Sequence, residues 1–408
     1  MRRWDLIVIG TGLAGLMAAR TAVEMGARVL IVGRGMGSLA LFGNTIDVLG
    51  AIPPGVNLDA GLTHWIAAHP DHPYARTGWA GIAEALTAFR DLFPPPYNFV
   101  AAGMSNSLVP TGAGTLRPTY LLPVTMRAGA GIAAAETLIV GFRGFKDFQG
   151  DTVSFHLGCR GVNISLPRYG LEGLSALALA RLMDEEQFRI GLGEAIRGQK
   201  AGEKRIGLPA VLGLREPAAV LEDLESVIGA RVFEIPMLPP SIPGLRMFNR
   251  FRERLIAKGA TFLMGNPVTG AVIKNGRCEG ITICNPPLET EYRAESYVLA
   301  AGRFLSGGLW ADMDRITEPL FRLPVSQPAT RADWFRERFF QSEAHPIHSA
   351  GIVTDQALRP VDDGGRVLLT NVRIAGSILA NHQAIEEHSR EGIAIATGYL
   401  AAKGALAQ

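Results

Sequence analysis

The sequence predicts an α/β fold in which one parallel-stranded unit of the nucleotide-binding type is interrupted by a second α/β unit. Two observations near the start and one along the chain carry this. Residues 6–9 form a short apolar run, as in a buried parallel strand, and lead directly into Gly10-Thr11-Gly12-Leu13-Ala14-Gly15. That G-x-G-x-x-G loop opens a small, apolar stretch over 14–25, which predicts a helix with Gly26 as its C-cap. Residues 28–32 then give the next strand, completing a Rossmann-like βαβ unit. Further along, strand patterns at 137–142, 162–166, 205–212 and 231–235 alternate with helical stretches at 174–182 and 218–227, which predicts the inserted unit.

The loop has a physical reading. The first glycine permits a tight turn, the second lets a phosphate approach the backbone, and the third lets helix and strand pack closely. The helix N-terminus then offers unpaired N–H groups and the positive end of its dipole. The next strand departs from the usual pattern. Such strands normally end in Asp or Glu, which holds an adenosine ribose, but here the strand ends in Gly33 and Arg34 follows.

The remaining elements follow in order. Pro53-Pro54-Gly55 and Pro94-Pro95-Pro96 mark loops, and residues 196–207 read as an exposed loop. Leu245, Phe248, Phe251, Leu255 and Ile256 form a helical stripe capped by Gly259. A β-meander with an Asn275-Gly276 hairpin turn comes next, then a buried strand ending in Ala301-Gly302. The end of the chain reads strand, loop and long helix, the helix beginning near Gly392. The expected boundaries are 1–100 for the first part of the nucleotide-binding domain, 101–236 for the insert and 237–310 for the second part. A small cap or partner-binding segment over 311–348 precedes a return segment over 349–408.

Composition narrows the function. The 408 residues carry a net charge of +2 and contain no basic run of five, so nucleic acid is not an expected partner. Three cysteines, none in a CxxC pair, predict neither a disulfide framework nor an iron–sulfur cluster in this chain, and suit a reducing cytoplasm. The N-terminal residues mimic a signal peptide, but Asp5 interrupts the apolar run and the glycines fall where a nucleotide loop needs them. No run reaches the ~18 apolar residues of a membrane helix. His64, His69 and His72 lack metal-ligand spacing and read as solvated surface histidines, so no metal site is expected. Residues 331–340 are amphipathic and aromatic, as in a core-facing helix or a partner-binding face.

Three segments in this order predict a flavoprotein: the glycine loop, the late strand "VLAAGRF" (298–304) and the return segment "IAGSI" (374–378) before the last helix. In flavin folds that helix aims its N-terminus at the flavin's N1–C2=O edge and stabilises negative charge there. With "GNTIDVLG", "GTLRPT", "LPPSIPGLRMFNRF", "ATRADWF" and "GIVTDQALRP", the sequence resembles the B subunit of anaerobic, quinone-linked glycerol-3-phosphate dehydrogenase over nearly its whole length. The resemblance implies an FMN-bearing subunit, FAD being the alternative. Its implied cofactor residues are Gly10, Gly12, Gly15, Arg34, Gly35, Asn44, Thr45, Ala301, Gly302, Gly376, Ser377 and Gly392. It also implies a catalytic, FAD-bearing A subunit, an iron–sulfur C subunit that binds the membrane, glycerol 3-phosphate as substrate and quinone as indirect acceptor. The protein would then be cytoplasmic and peripheral to the membrane through its partners. FMN has no adenosine ribose, which accounts for the missing acid at Gly33, and Arg34 could meet its phosphate.

The sequence departs from the family at His388-Ser389-Arg390-Glu391, where the return segment tends to be glycine-rich. No catalytic residue is assigned; Arg117, Arg331 and His388 are the candidates. Two rival readings are an independent flavin oxidoreductase acting on a small anion clamped by Arg117 and Arg331, and a flavin-free assembly scaffold.

Overall fold

The computed structural model describes residues 4–165, 174–285, 288–340 and 343–407. Two compact units emerge. The first comprises Met1–Ser38, Asp59–Leu92 and Arg250–Gln408; the second comprises Leu39–Leu58 and Phe93–Asn249. Residues 39–58, which the sequence pattern groups with the opening βαβ unit, thus cluster with the second unit.

The first unit is built on β1 (Trp4–Ile9), α1 (Leu13–Glu24) and β2 (Val29–Gly33). Five parallel strands lie in the order Thr261–Met264, β2, β1, Ala294–Leu299, Val372–Ile374. In β1 the run Leu6, Ile7, Val8, Ile9 is buried without alternation, as a parallel strand covered on both faces requires. Ile9 lies opposite both Val32 and Leu299, so the strand ends line up along one edge. The last helix, Arg390–Leu406, packs on α1 at Gly398, where a Cβ would lie 2.3 Å from the Ala14 carbonyl oxygen. The meander is present as Val268–Lys274, Arg277–Asn285 and Leu288–Tyr292. Its first turn has positive φ at Asn275 (49°) and Gly276 (70°), the demand of a two-residue hairpin whose twist matches its strands.

The second unit holds a parallel sheet in the order Arg231–Ile235, Arg205–Pro209, Thr137–Phe142, Arg160–Ile164. Helices Gly150–Leu157, Ala176–Met183, Glu186–Gln199 and Pro217–Ile228 make the crossovers. Ile139, Phe142, Leu179, Leu192, Ile206 and Phe233 are among its buried core. Leu166, the expected end of one strand, lies outside the described residues.

Three local expectations are corrected. The stretch 196–207 is not a single loop: the helix runs to Gln199 and the strand starts at Arg205. Ile256 falls off the buried stripe of Ile242–Ala257 and is exposed. Residues 331–340 form no amphipathic helix. A single 3₁₀ turn, Arg331–Trp334, is capped reciprocally by Thr330 and Asp333, and only Trp334 is buried. Phe335, Phe339 and Phe340 are exposed, so no i, i+4 apolar face exists to hold a longer helix. Among the described residues no helix is long and apolar enough to cross a membrane.

Candidate functional site

The three glycines of the loop do different jobs. Gly10 has φ +120°, and a Cβ there would lie 2.2 Å from the Ala300 carbonyl oxygen. A Cβ on Gly15 would lie 2.0 Å from the Gly10 carbonyl oxygen. Both are demanded by close backbone packing. Gly12 is the N-cap of α1 with an ordinary extended backbone, and nothing lies within 4 Å of a Cβ placed on it. The helix start that follows has no side-chain cap and no acid in its first turn. Gly12 therefore leaves an open approach to an uncapped helix N-terminus, which fits a phosphate.

The absence of an acid at Gly33 has a cause in the fold. A Cβ there would lie 2.2 Å from Thr11 Oγ1, and that hydroxyl donates to the Gly35 carbonyl. Thr11, which the glycine pattern alone passes over, fills the position from which a ribose-binding acid would extend. Arg34 is exposed, and among the described residues it has no hydrogen-bond or ion-pair partner. One of its Nη atoms lies 3.8 Å from a Cβ position at Gly307, in the turn beyond strand Ala294–Leu299, which lies on the far side of β1 from β2. Gly35 is open within 4 Å.

The other segments meet at the same sheet edge. Ala301 accepts a hydrogen bond from Ser306 Oγ at 2.6 Å, and Gly302 has φ +72° with Ser306 filling its Cβ position. Ser377 Oγ lies 3.7 Å from that same position. Gly376 is buried with φ +80°; its N–H donates to Thr397 Oγ1 at 2.9 Å, and a Cβ would lie 2.7 Å from that of Ala14. Its geometry serves helix packing. Gly392 is buried in the first turn of the last helix.

The structure does not gather every expected residue into this unit. Asn44, Thr45 and Arg117 belong to the second unit. Asn44 is buried with φ 72°, donates to Tyr97 Oη at 2.9 Å and leaves its Oδ1 unpartnered. Thr45 donates to Asp47, and Arg117 pairs with the buried Asp47 carboxylate at 2.5 Å. That pair supplies Arg117 with a carboxylate within the protein. Arg331 donates to the Asp312 carbonyl at 2.7 Å and stacks over Trp334. His388 precedes the last helix with φ 46°. An open depression of about 540 Å³ in the second unit is lined by charges already paired, including Lys204 with Glu136 and Arg231 with Glu225.

What sequence reasoning missed is a buried polar cluster in the first unit. His72 is not a solvated surface histidine: it is 2% exposed. Its Nδ1 accepts from the Tyr74 N–H at 3.1 Å, so Nε2 carries the proton and donates to Glu387 at 3.2 Å. Burial holds the His72 pKa below its ordinary value, against the pull of Glu387. Burial alone would raise Glu387, but hydrogen bonds from His72, the Gln383 N–H and Ser389 leave its carboxyl below the usual range. Ser389 and Glu391, at the start of the last helix, are buried as well. Arg303 donates to the carbonyls of His348 and Leu379 and to His382 Nε2, the last two at 3.0 Å. The one available signal was an arginine directly after the Ala-Gly strand end.

A family model described as an FAD binding domain matches residues 5–388. A relative from Halobacterium salinarum, named as the probable B subunit of an anaerobic glycerol-3-phosphate dehydrogenase, is 34% identical over 419 residues, covering 98% of this chain and 97% of the relative. The chain belongs to the family of anaerobic glycerol-3-phosphate dehydrogenase B subunits. A Vibrio cholerae member is 30% identical over 431 residues, covering 100% of this chain and 97% of its own. A solved 3-ketosteroid Δ1-dehydrogenase from Sterolibacterium denitrificans covers all of this chain and is itself covered in full, at 12% identity and a TM-score of 0.50. At that identity it shows the fold alone. The Rossmann-like flavoprotein fold, the flavin class of cofactor and the oxidoreductase family all agree with the sequence pattern.

Proposed function

We propose that this chain is the flavin-bearing B subunit of a quinone-linked glycerol-3-phosphate dehydrogenase. It serves oxidation of glycerol 3-phosphate to dihydroxyacetone phosphate by relaying electrons from a catalytic, FAD-bearing A subunit towards an iron–sulfur, membrane-binding C subunit. The observation that carries this is the full-length likeness to relatives named as the B subunit of that enzyme. A bound flavin would accept two electrons and release them singly, which suits a relay. The residues present fit its phosphate: Gly12 opens the backbone, α1 supplies an uncapped N-terminus, and Arg34 adds an unpaired cation. The cofactor we favour is FMN, because Thr11 occupies the place of the ribose acid. FAD is the second reading, favoured by the description of the matching family model.

The relay role rests on chemistry the loop edge lacks. Abstracting hydride from a secondary alcohol needs a base for the hydroxyl proton, and cations for the phosphate, placed against the reacting carbon. Arg117 and Arg331 are held by Asp47 and Asp312, and none of the residues expected at the cofactor is an acid or a histidine. Acid release and chromatography of the cofactor, followed by anaerobic stopped-flow with glycerol 3-phosphate, test the proposal. The expected result is FMN, negligible bleaching of the isolated chain, turnover on adding the A subunit, and little effect of His388→Ala on substrate reduction. Rapid bleaching of the isolated chain, abolished by His388→Ala, would instead establish an independent enzyme.

A further inference from the structure

The aromatic stretch 331–340, which forms no helix, serves none of the functions above. Trp334 is its one buried ring; Phe335, Phe339 and Phe340 are 55%, 78% and 91% exposed. Single apolar side chains on a surface need no explanation. These three are not single. The Phe339 and Phe340 rings meet edge to face with centroids 4.8 Å apart, and Phe335 and Phe339 both lie against the buried His345 ring, at 5.7 and 6.1 Å. Together they present roughly 450 Å² of apolar surface to water, a size at which a patch on one chain is often functional. Trp310 and Met313, also exposed, sit on a hairpin tied to the same segment by Arg331, which donates to the Asp312 carbonyl and stacks over Trp334. With them the apolar area approaches the roughly 800 Å² that one partner contributes to a standard protein interface.

The segment is pinned in this pose. Thr330 and Asp333 cap its 3₁₀ turn reciprocally. The Arg336 N–H donates to His345 Nδ1 at 2.9 Å, so Nε2 carries the proton and donates to the Phe339 carbonyl at 3.1 Å. His345 thus clips the backbone on both sides of Glu337 and Arg338 while the phenylalanine rings stay in water. Side chains presented from a fixed backbone have less freedom to lose on binding.

Charge separates the classes of partner. In and beside the segment, exposed Arg331, Arg336 and Arg338 are matched by exposed Asp333, Glu337 and Glu343, the last paired with Arg336 at 3.7 Å. The patch therefore carries no net field towards anionic lipid headgroups, whereas membrane-surface helices put a basic face beside their aromatics. An apolar aromatic centre with charges of both signs at its rim is the anatomy of a protein interface. A second copy across a two-fold axis would press the same patch on itself, ring against ring. The depressions described around Glu203 and around Asn381 contain no residue of the patch, so such a copy would offer neither as a socket.

We propose that Phe335, Phe339 and Phe340 form the docking face for another protein subunit of the same enzyme, one that presents an apolar socket rimmed by charges of both signs. The inference rests on the reading of this chain as one subunit of a complex.

The test uses the full chain, alone and assembled with the other subunits of its enzyme. Hydroxyl-radical footprinting should oxidise Phe339 and Phe340 readily in the isolated chain and find them protected in the complex. Phe339→Ser combined with Phe340→Ser should keep the parent's melting temperature, because both rings are exposed. It should weaken assembly by about thirtyfold or more, the loss of an interface anchor. Phe340→Ser alone serves if the pair does not fold. Phe155→Ser, which removes an exposed ring of the second unit, should assemble as the parent does. Assembly of the double variant at the parent's affinity, or rings left unprotected in the complex, would overturn the proposal. So would two other losses in the double variant with assembly intact. Lost binding to vesicles containing phosphatidylserine would make the patch a membrane contact, and lost self-association would make it an interface between copies. A wild-type chain that assembles with no other subunit would overturn the reading as a B subunit and this inference with it; a complex that forms equally well without the rings would overturn the docking face alone.

Discussion

The two parallel sheets end in similar edges and treat their polar groups in opposite ways. In the second unit, Glu234 at the end of strand Arg231–Ile235 pairs bidentately with Arg246 at 2.9 Å. Glu234 also accepts the Leu212 N–H, and Arg246 donates to the Gly213 carbonyl. Both side chains are buried. That edge answers its own charges. In the first unit the corresponding edge leaves Gly12 and Gly35 open, α1 uncapped and Arg34 unpaired. The nearby Arg303 also keeps a buried Nε–H without an acceptor. A parallel sheet can therefore have its strand ends closed by internal ion pairs or left open, and the open edge is where we propose that the flavin phosphate binds.

The contrast can be broken most severely from the closed side. Glu234→Ala should destabilise the second unit by about 3–5 kcal/mol, because it strands a buried guanidinium. Replacing both partners, as in Glu234→Leu with Arg246→Met, should cost clearly less, since no charge is left unpaired. Urea unfolding of the two variants measures this, and equal losses would show that the pair does not define that edge. The open side should show a different split. Gly10→Ala should cost about 3 kcal/mol, because its Cβ meets the Ala300 carbonyl at positive φ. Gly12→Val should leave the melting temperature near that of the parent and remove flavin, measured by absorbance of the folded protein. Full flavin content in Gly12→Val would end the phosphate-loop assignment. Arg34→Ala should weaken FMN by roughly ten- to a hundredfold while hardly changing riboflavin, matching ~1.5–3 kcal/mol for a charge-assisted phosphate contact. Equal losses for both ligands would remove Arg34 from the phosphate site.

Much of this was legible in the sequence where the signal is local. Apolar runs without alternation gave the parallel strands, and Asn-Gly gave the hairpin. The glycine spacing gave the βαβ unit but not the division of labour among Gly10, Gly12 and Gly15. That division depends on which carbonyl crosses each glycine, and Ala300 is 290 residues away from Gly10 in the chain. The role of Thr11 was hidden for the same reason: its partner Gly35 lies 24 residues on, just past the end of the adjacent strand β2. The His72–Glu387 contact joins residues 315 apart, so His72 looked like one of three loop histidines. The aromatic run 331–340 misled because hydrophobic content was read without a periodic face.

The same buried histidines give the smallest predicted effect, a pH dependence of the open side that the closed side should lack. His72 and His382 both have folded pKa values below the 6.5 of a free imidazole, burial being the main cause in each. Unfolding exposes them, so below that value the unfolded chain binds protons that the folded chain refuses. Their effect is absent above about pH 7 and grows as pH falls through the free-imidazole value towards the lower folded ones. Arg303 stays protonated throughout. Glu387, whose carboxyl is held below its ordinary 4.5, stays charged across the same window and loses its contribution only in stronger acid. The His72 and His382 rings face each other at 6.2 Å, and Arg303, Glu387, Tyr74 and Trp65 face one or the other, so each proton enters against burial and against the neighbouring positive charge. Taking the protein from about pH 7.5 to about pH 5.5 should therefore lower the protection of the amides around residues 376–389 against hydrogen exchange, relative to their intrinsic rates. Exchange in the strand Arg231–Ile235 should change only by the intrinsic pH factor. If both segments respond alike after that correction, the histidines are not held neutral by burial, and the open edge is no more acid-sensitive than the closed one.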